Sequence, residues 1–160
     1  MDAVGNVGGF KQGGKVGGGV GVDAEVGFVT SNQLNFLGIG IGFNSYFTVY
    51  EKTTYSNLYL PLYACDRIYF SSNDYTAPYL DLALGGYINL KSETWIKGGG
   101  SEEQKGEGGG LLFRAGLGFT VMPNSLNING NAGYELRYSK VGDYDATEHA
   151  IYFRIGIGTR

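Results

Sequence analysis

The side chains that could do chemistry in this chain are one histidine, one cysteine and a recurring set of acids and arginines. His149 lies close behind Asp143, Asp145 and Glu148, where the last polar stretch enters the final apolar segment. Hydrolytic catalysis needs a base held beside a nucleophile or a water, and one histidine in an acidic loop does not specify that. Asp143, Asp145, Glu148 and His149 form instead a candidate loop site for a divalent cation, since hard cations prefer oxygen ligands. The plainer expectation is an exposed loop, with no resident metal and no cofactor. Cys65 alone builds neither a disulfide framework nor a structural zinc site and reads as a small lumen filler. Gly38, Gly40 and Gly42 alternate, which is not a dinucleotide fingerprint, and no helical pattern follows to receive a phosphate. No enzymatic activity is expected.

The charged set is more regular. Asp23, Glu25, Asp81 and Glu135 stand against Arg67, Arg114, Arg137 and Arg154. The two signs balance, and every base is arginine rather than lysine. Desolvated charges persist only when paired and hydrogen-bonded, and the planar guanidinium fork suits that role.

The elements that must hold these residues are strands. The chain has 160 residues, a formal net charge of −3, 29 glycines, 13 tyrosines and 9 phenylalanines. Glycine is far above its usual roughly 7%, without the period of collagen, and the abundant aromatics exclude a disordered chain. No basic stripe exists to meet phosphates, so nucleic acid is not an expected partner. No stretch approaches the ~18 continuous apolar residues of a membrane helix. Alternation appears near 3–10, 16–29, 34–49, 57–70, 76–90, 110–121, 125–139 and 149–159. Most of these runs exceed the ~9–11 residues that a tilted strand needs to cross a bilayer. Short turns at 31–33, 71–74 and 123–125 alternate with connectors that are mostly longer and more polar, of which 91–109 reads as a long flexible loop. That alternation of short and long connectors is the pattern of membrane barrels.

Parity then assigns the faces, because successive strand side chains point to opposite sides. One face collects Val22, Phe28, Ile39, Phe43, Leu62, Leu84, Leu117, Ile128, Phe153 and Ile155. The other collects the eight charged residues with Gly38, Gly40, Gly42, Gly116, Gly118 and Gly156. The lumen of an eight-stranded barrel is only just wide enough for side chains to fill. It would not hold so many large apolar groups, whereas lipid outside imposes no volume limit. The greasy face is therefore expected outward, and the glycines and paired charges inward. Asp66 is the one charge on the greasy face well inside a strand, and a position near a rim would make it tolerable. Tyr46, Tyr50, Tyr59, Tyr69, Tyr75, Tyr79, Tyr138, Tyr152 and Trp95 cluster toward strand ends and are expected to divide between interfacial girdles and the lumen.

Several segments resemble the small outer-membrane barrels loosely termed OmpA-like or porin-family. They are Leu60-Pro61-Leu62-Tyr63 before Arg67-Ile68-Tyr69-Phe70, then Pro78-Tyr79-Leu80-Asp81 before Gly85-Gly86-Tyr87, then Gly133-Tyr134-Glu135 and Ile155-Gly156-Ile157-Gly158. The likeness covers roughly residues 16–158. The chain departs from the pattern in ending Gly158-Thr159-Arg160 rather than on an aromatic residue. It departs also in carrying Pro61, whose missing donor is expected near a rim.

The expectation is one all-β domain over residues 1–160, an eight-stranded antiparallel up-and-down transmembrane β-barrel in the bacterial outer membrane. It is expected as a monomer in lipid, with a lumen plugged by arginine–carboxylate pairs and an envelope or loop-mediated binding role. The alternatives are a soluble carrier of a small apolar ligand and a narrow ion-conducting pore.

Overall fold

The computed structural model describes residues 2–159 apart from 13–14, 32–33, 51–52, 72–75, 97–100, 106–107, 122–125 and 142–143. For 2–16, 48, 50, 96, 101–105, 140–141 and 144–146 it describes the backbone only. Nine strands follow one another: β1 (Asp2–Gln12), β2 (Lys15–Val29), β3 (Asn35–Tyr50), β4 (Thr53–Tyr69), β5 (Thr76–Ile96), β6 (Ser101–Lys105), β7 (Gly109–Val121), β8 (Leu126–Val141) and β9 (Tyr144–Thr159). Eight of them close a ring of antiparallel neighbours in which β6 takes no part. The first strand, whose loss would leave seven, pairs with β2 from Asp2↔Glu25 and with β9 from Asp2↔Gly158, and so seals the barrel.

The 91–109 segment is not a loop. Lys91 to Ile96 extend β5, and Ser101–Lys105 pairs back onto them through Lys91↔Lys105 and Trp95↔Ser101. Likewise only residues 13–14, 51–52 and 142–143 separate β1 from β2, β3 from β4, and β8 from β9. The expected longer connectors are strand in their outer parts. Their alternation fades for a physical reason: beyond the bilayer both faces of a ladder meet water, so no hydrophobic period is selected while the backbone bonds continue. Gly108 turns the chain from β6 into β7 at φ 80°, where a Cβ would be strained.

Two irregularities mark the sheet. Leu58 opposes Lys91 while Tyr59 opposes Asn89, so β5 carries one extra residue at Leu90. This bulge reverses parity, and Lys91, Glu93 and Trp95 share the outward face with Leu58, Ser56 and Thr54 opposite them. There Lys91 Nζ lies 2.5 Å from Glu93 and Trp95 Nε1 donates to Glu93 at 3.2 Å. The ammonium holds the Glu93 carboxyl below the ordinary carboxylate range. The second irregularity corrects the expectation for Pro61, which sits mid-strand rather than at a rim. The β3–β4 pairing stops at Ile41↔Leu62 and resumes at Asn44↔Tyr59, skipping the residues around the proline that has no donor to give.

The faces fall as parity requires. Ile155 is 71% exposed and Leu117 64%, while Asp81 is completely buried. Large apolar residues cover the outside and polar ones fill the inside, the reverse of a water-soluble barrel. A bilayer rewards that arrangement, because a closed ring leaves no free sheet edge and the apolar band meets hydrocarbon.

Candidate functional site: the charged lumen

Asp23, Glu25, Arg67, Asp81, Arg114, Glu135, Arg137 and Arg154 are all buried in the lumen. Hairpin register creates the first contacts. Arg67 of β4 lies directly opposite Asp81 of β5, with Nε 3.4 Å from the carboxylate, and Arg114 of β7 opposes Glu135 of β8 at 3.8 Å. The contacts of Arg154, and those of Arg67 and Arg114 with β2, reach beyond adjacent strands. Arg154 of β9 reaches Asp23 at 3.2 Å, Glu25 at 2.5 Å and Asp81 at 3.4 Å. Arg67 also pairs with Glu25, and Arg114 Nη1 with Asp23 at 3.2 Å. Arg114 thus joins two groups, one around Asp23, Glu25 and Asp81, the other around Glu135. In the second group Arg137 holds Glu135 at 3.3 Å and Glu148 at 3.1 Å.

Tyrosines complete the network. Tyr63 donates to Glu25 at 2.7 Å and to Asp23 at 3.2 Å, and Tyr46 donates to Glu135 at 3.2 Å. Asn44 and Asn131 donate to Asp23 and Asp81 at 3.1 and 2.9 Å. Arg114 stacks over the Tyr63 ring at 4.0 Å and Arg137 over Tyr46 at 3.8 Å, which desolvated cations favour. Of the end-clustered tyrosines, Tyr46, Tyr59, Tyr69, Tyr79 and Tyr152 are buried inside while Tyr138 faces out. Tyr50 has no described side chain and Tyr75 lies outside the described residues. Tyr63 and Tyr87, also buried inside, were legible from their parity, which they share with Arg67 and Asp81. Trp95 is exposed on the β5–β6 extension rather than set in a girdle.

The lumen glycines are seats for these rings. A Cβ at Gly40 would lie 2.3 Å from the Tyr63 ring, and one at Gly118 would lie 2.3 Å from Tyr79. At Gly42 it would meet the Asp23 carboxylate. Gly38, Gly116 and Gly156 back onto Phe36, Tyr152 and Asn129 in the same way. Cys65 is buried among them as a free thiol.

Of the loop cation candidate, the structure sets Glu148 and His149 on opposite faces. Glu148 has inward parity and pairs with Arg137, whereas His149 faces out and bonds Tyr134 through Nδ1. Neighbours on opposite faces of a strand cannot share an ion. Asp143 lies outside the described residues, and the side chain of Asp145 is not described. Among the described residues no group of three or more histidines, cysteines and acids could hold a metal. Because the Glu148 side chain is 36% exposed, Glu148→Gln should lower the unfolding free energy from urea titration by under about 1 kcal/mol. A loss like that of a buried pair would show that Arg137 depends on Glu148 for desolvated pairing.

The eight-stranded ring has known counterparts in fold. It matches Neisserial surface protein A with TM-score 0.61 and 13% identity, covering 98% of this chain and 92% of that one. The fold is that of a small outer-membrane β-barrel. The outer-membrane enzyme PagL aligns with TM-score 0.53 and 12% identity over 98% of this chain and 97% of its own. Ail of Yersinia pestis, in complex with the heparin analogue sucrose octasulfate, aligns with TM-score 0.52 and 17% identity over 99% and 95%. No protein-family model and no curated protein sequence matches the chain.

Proposed function

We propose that the chain is a monomeric barrel of the bacterial outer membrane, held in lipid, whose lumen is closed to solutes. Its role in this reading is structural within the envelope or lies in contacts made by the strand ends beyond the bilayer. The observation that carries the reading is Arg154, one guanidinium within 2.5 to 3.4 Å of acids from β2 and β5 on other walls of the lumen. A solute would have to break that network to pass. Planar-bilayer recordings of the purified chain should give no conductance steps. Stable, ohmic steps would overturn the closed lumen and favour the narrow pore.

The role we infer is non-catalytic. His149 stands on the outer face bonded to Tyr134, with Leu136 opposite it and Ile151 following on the same face. A soluble carrier would need an apolar cavity, whereas this interior is lined by charge and tyrosine and the greasy side chains point away.

A further inference from the structure

Among the described side chains, one carboxylate interrupts the apolar outer wall. Asp66 faces outward on β4 opposite Leu37 of β3 and Leu82 of β5. Among the described side chains it is the only carboxylate, lysine or arginine with outward parity between the rims, since Lys91 and Glu93 stand above the bulge, and the outward imidazole of His149 is bonded to Tyr134. Asn35 Nδ2 donates to its Oδ1 at 3.3 Å. Beside it runs a groove of about 350 Å³ lined by Leu37, Ala64, Asp66, Leu82, Leu84 and Phe113. The groove lies over Ala64, which is small where its neighbours across the ladder, Ile39 and Leu84, are large.

Depth matters to what fills it. Asp66 lies three residues before the end of β4 at Tyr69. At ~3.3 Å per residue and a tilt of about 40°, that is roughly 7–8 Å from the turn-side end of the strand. The carboxylate is therefore at headgroup level, and the groove leads from it toward hydrocarbon at Leu84 and Phe113. We infer that Asp66 and this groove form a seat for one bilayer lipid with a primary-ammonium headgroup. The ammonium donates to the carboxylate that Asn35 orients, and an acyl chain lies along Leu84 and Phe113. A quaternary headgroup has no N–H to donate, and an anionic one is repelled.

The inference rests on the membrane reading, and the two fail differently, since a chain that does not enter vesicles refutes the membrane reading first. The chain is reconstituted in vesicles holding equal phosphatidylethanolamine and phosphatidylcholine with a fixed share of phosphatidylglycerol. Native mass spectrometry then counts retained lipids. Wild type should keep phosphatidylethanolamine several-fold over phosphatidylcholine, with the N-methylated and N,N-dimethylated headgroups intermediate. Asp66→Asn should bring that ratio near one, and Ala64→Phe, which fills the groove, should lower retention of every lipid. Heat-modifiable migration confirms that both variants fold. Equal retention of the two lipids by wild type overturns the proposal even if a variant fails to fold. So does an unchanged ratio in Asp66→Asn, or a wild-type dimer that this substitution dissolves, which would assign Asp66 to a contact between copies.

Discussion

Replacing Arg154 by methionine is expected to destabilise the folded barrel by on the order of 3–5 kcal/mol, the usual cost of stranding a buried charge. The guanidinium contacts Asp23, Glu25 and Asp81, each with a side-chain exposure of 0%. Methionine conserves much of the volume, so the loss reports on charge and hydrogen bonding rather than on a cavity. Arg67 and Arg114 would remain on Glu25 and Asp23, but the lumen would hold one carboxylate in excess of its arginines, and Tyr63 would lose the 3.1 Å donation it accepts from Arg154. Urea titration in lipid vesicles measures the shift in midpoint. Adding a second change, Glu25→Gln, should recover part of the loss, because it restores the balance of carboxylates and arginines in the lumen. A near-neutral Arg154→Met variant would mean that the acids are solvated, and the closed lumen would go with them.

Gly118→Val is expected to cost about 1–3 kcal/mol through overpacking. The new Cβ would fall 2.3 Å from the Tyr79 ring, and that ring has little room to retreat. It packs edge-on against Tyr69 at 5.6 Å and under Arg67 at 5.9 Å. The informative experiment is the cycle with Tyr79→Ala. Removing the ring leaves a cavity that valine partly fills, so the double variant should be more stable than the sum of the two losses implies. Additive losses would show that Gly118 serves the backbone rather than seating the ring.

Much of this arrangement is written in strand parity. Val22, Ile39, Leu62, Leu117 and Ile155 share one parity within their strands, and the acids, arginines and glycines share the other. Period two leaves only two faces to choose between, and the narrow lumen decides which set goes in. The Arg67–Asp81 and Arg114–Glu135 contacts were similarly within reach, since each joins neighbouring strands through a tight turn. The tyrosines were harder, because a phenol satisfies both an interfacial girdle and a polar lumen. Tyr79 and Tyr138 look alike by composition and ended on opposite sides.

What the residues alone determined is therefore the number of ring strands, which face meets lipid and which eight charged groups enter the lumen. Alternation is a local property, and each strand carries it independently. The tertiary structure alone decided the rest. Arg154 meets Asp23 and Glu25 across β1, a contact set by ring closure and by no feature of either segment. The extra residue at Leu90 turned Lys91, Glu93 and Trp95 outward, and a bulge leaves no mark on a polar stretch that both faces expose to water. Glu148 joined Arg137 instead of His149 because one step along a strand crosses the wall, so their nearness in the chain put them on opposite sides of it.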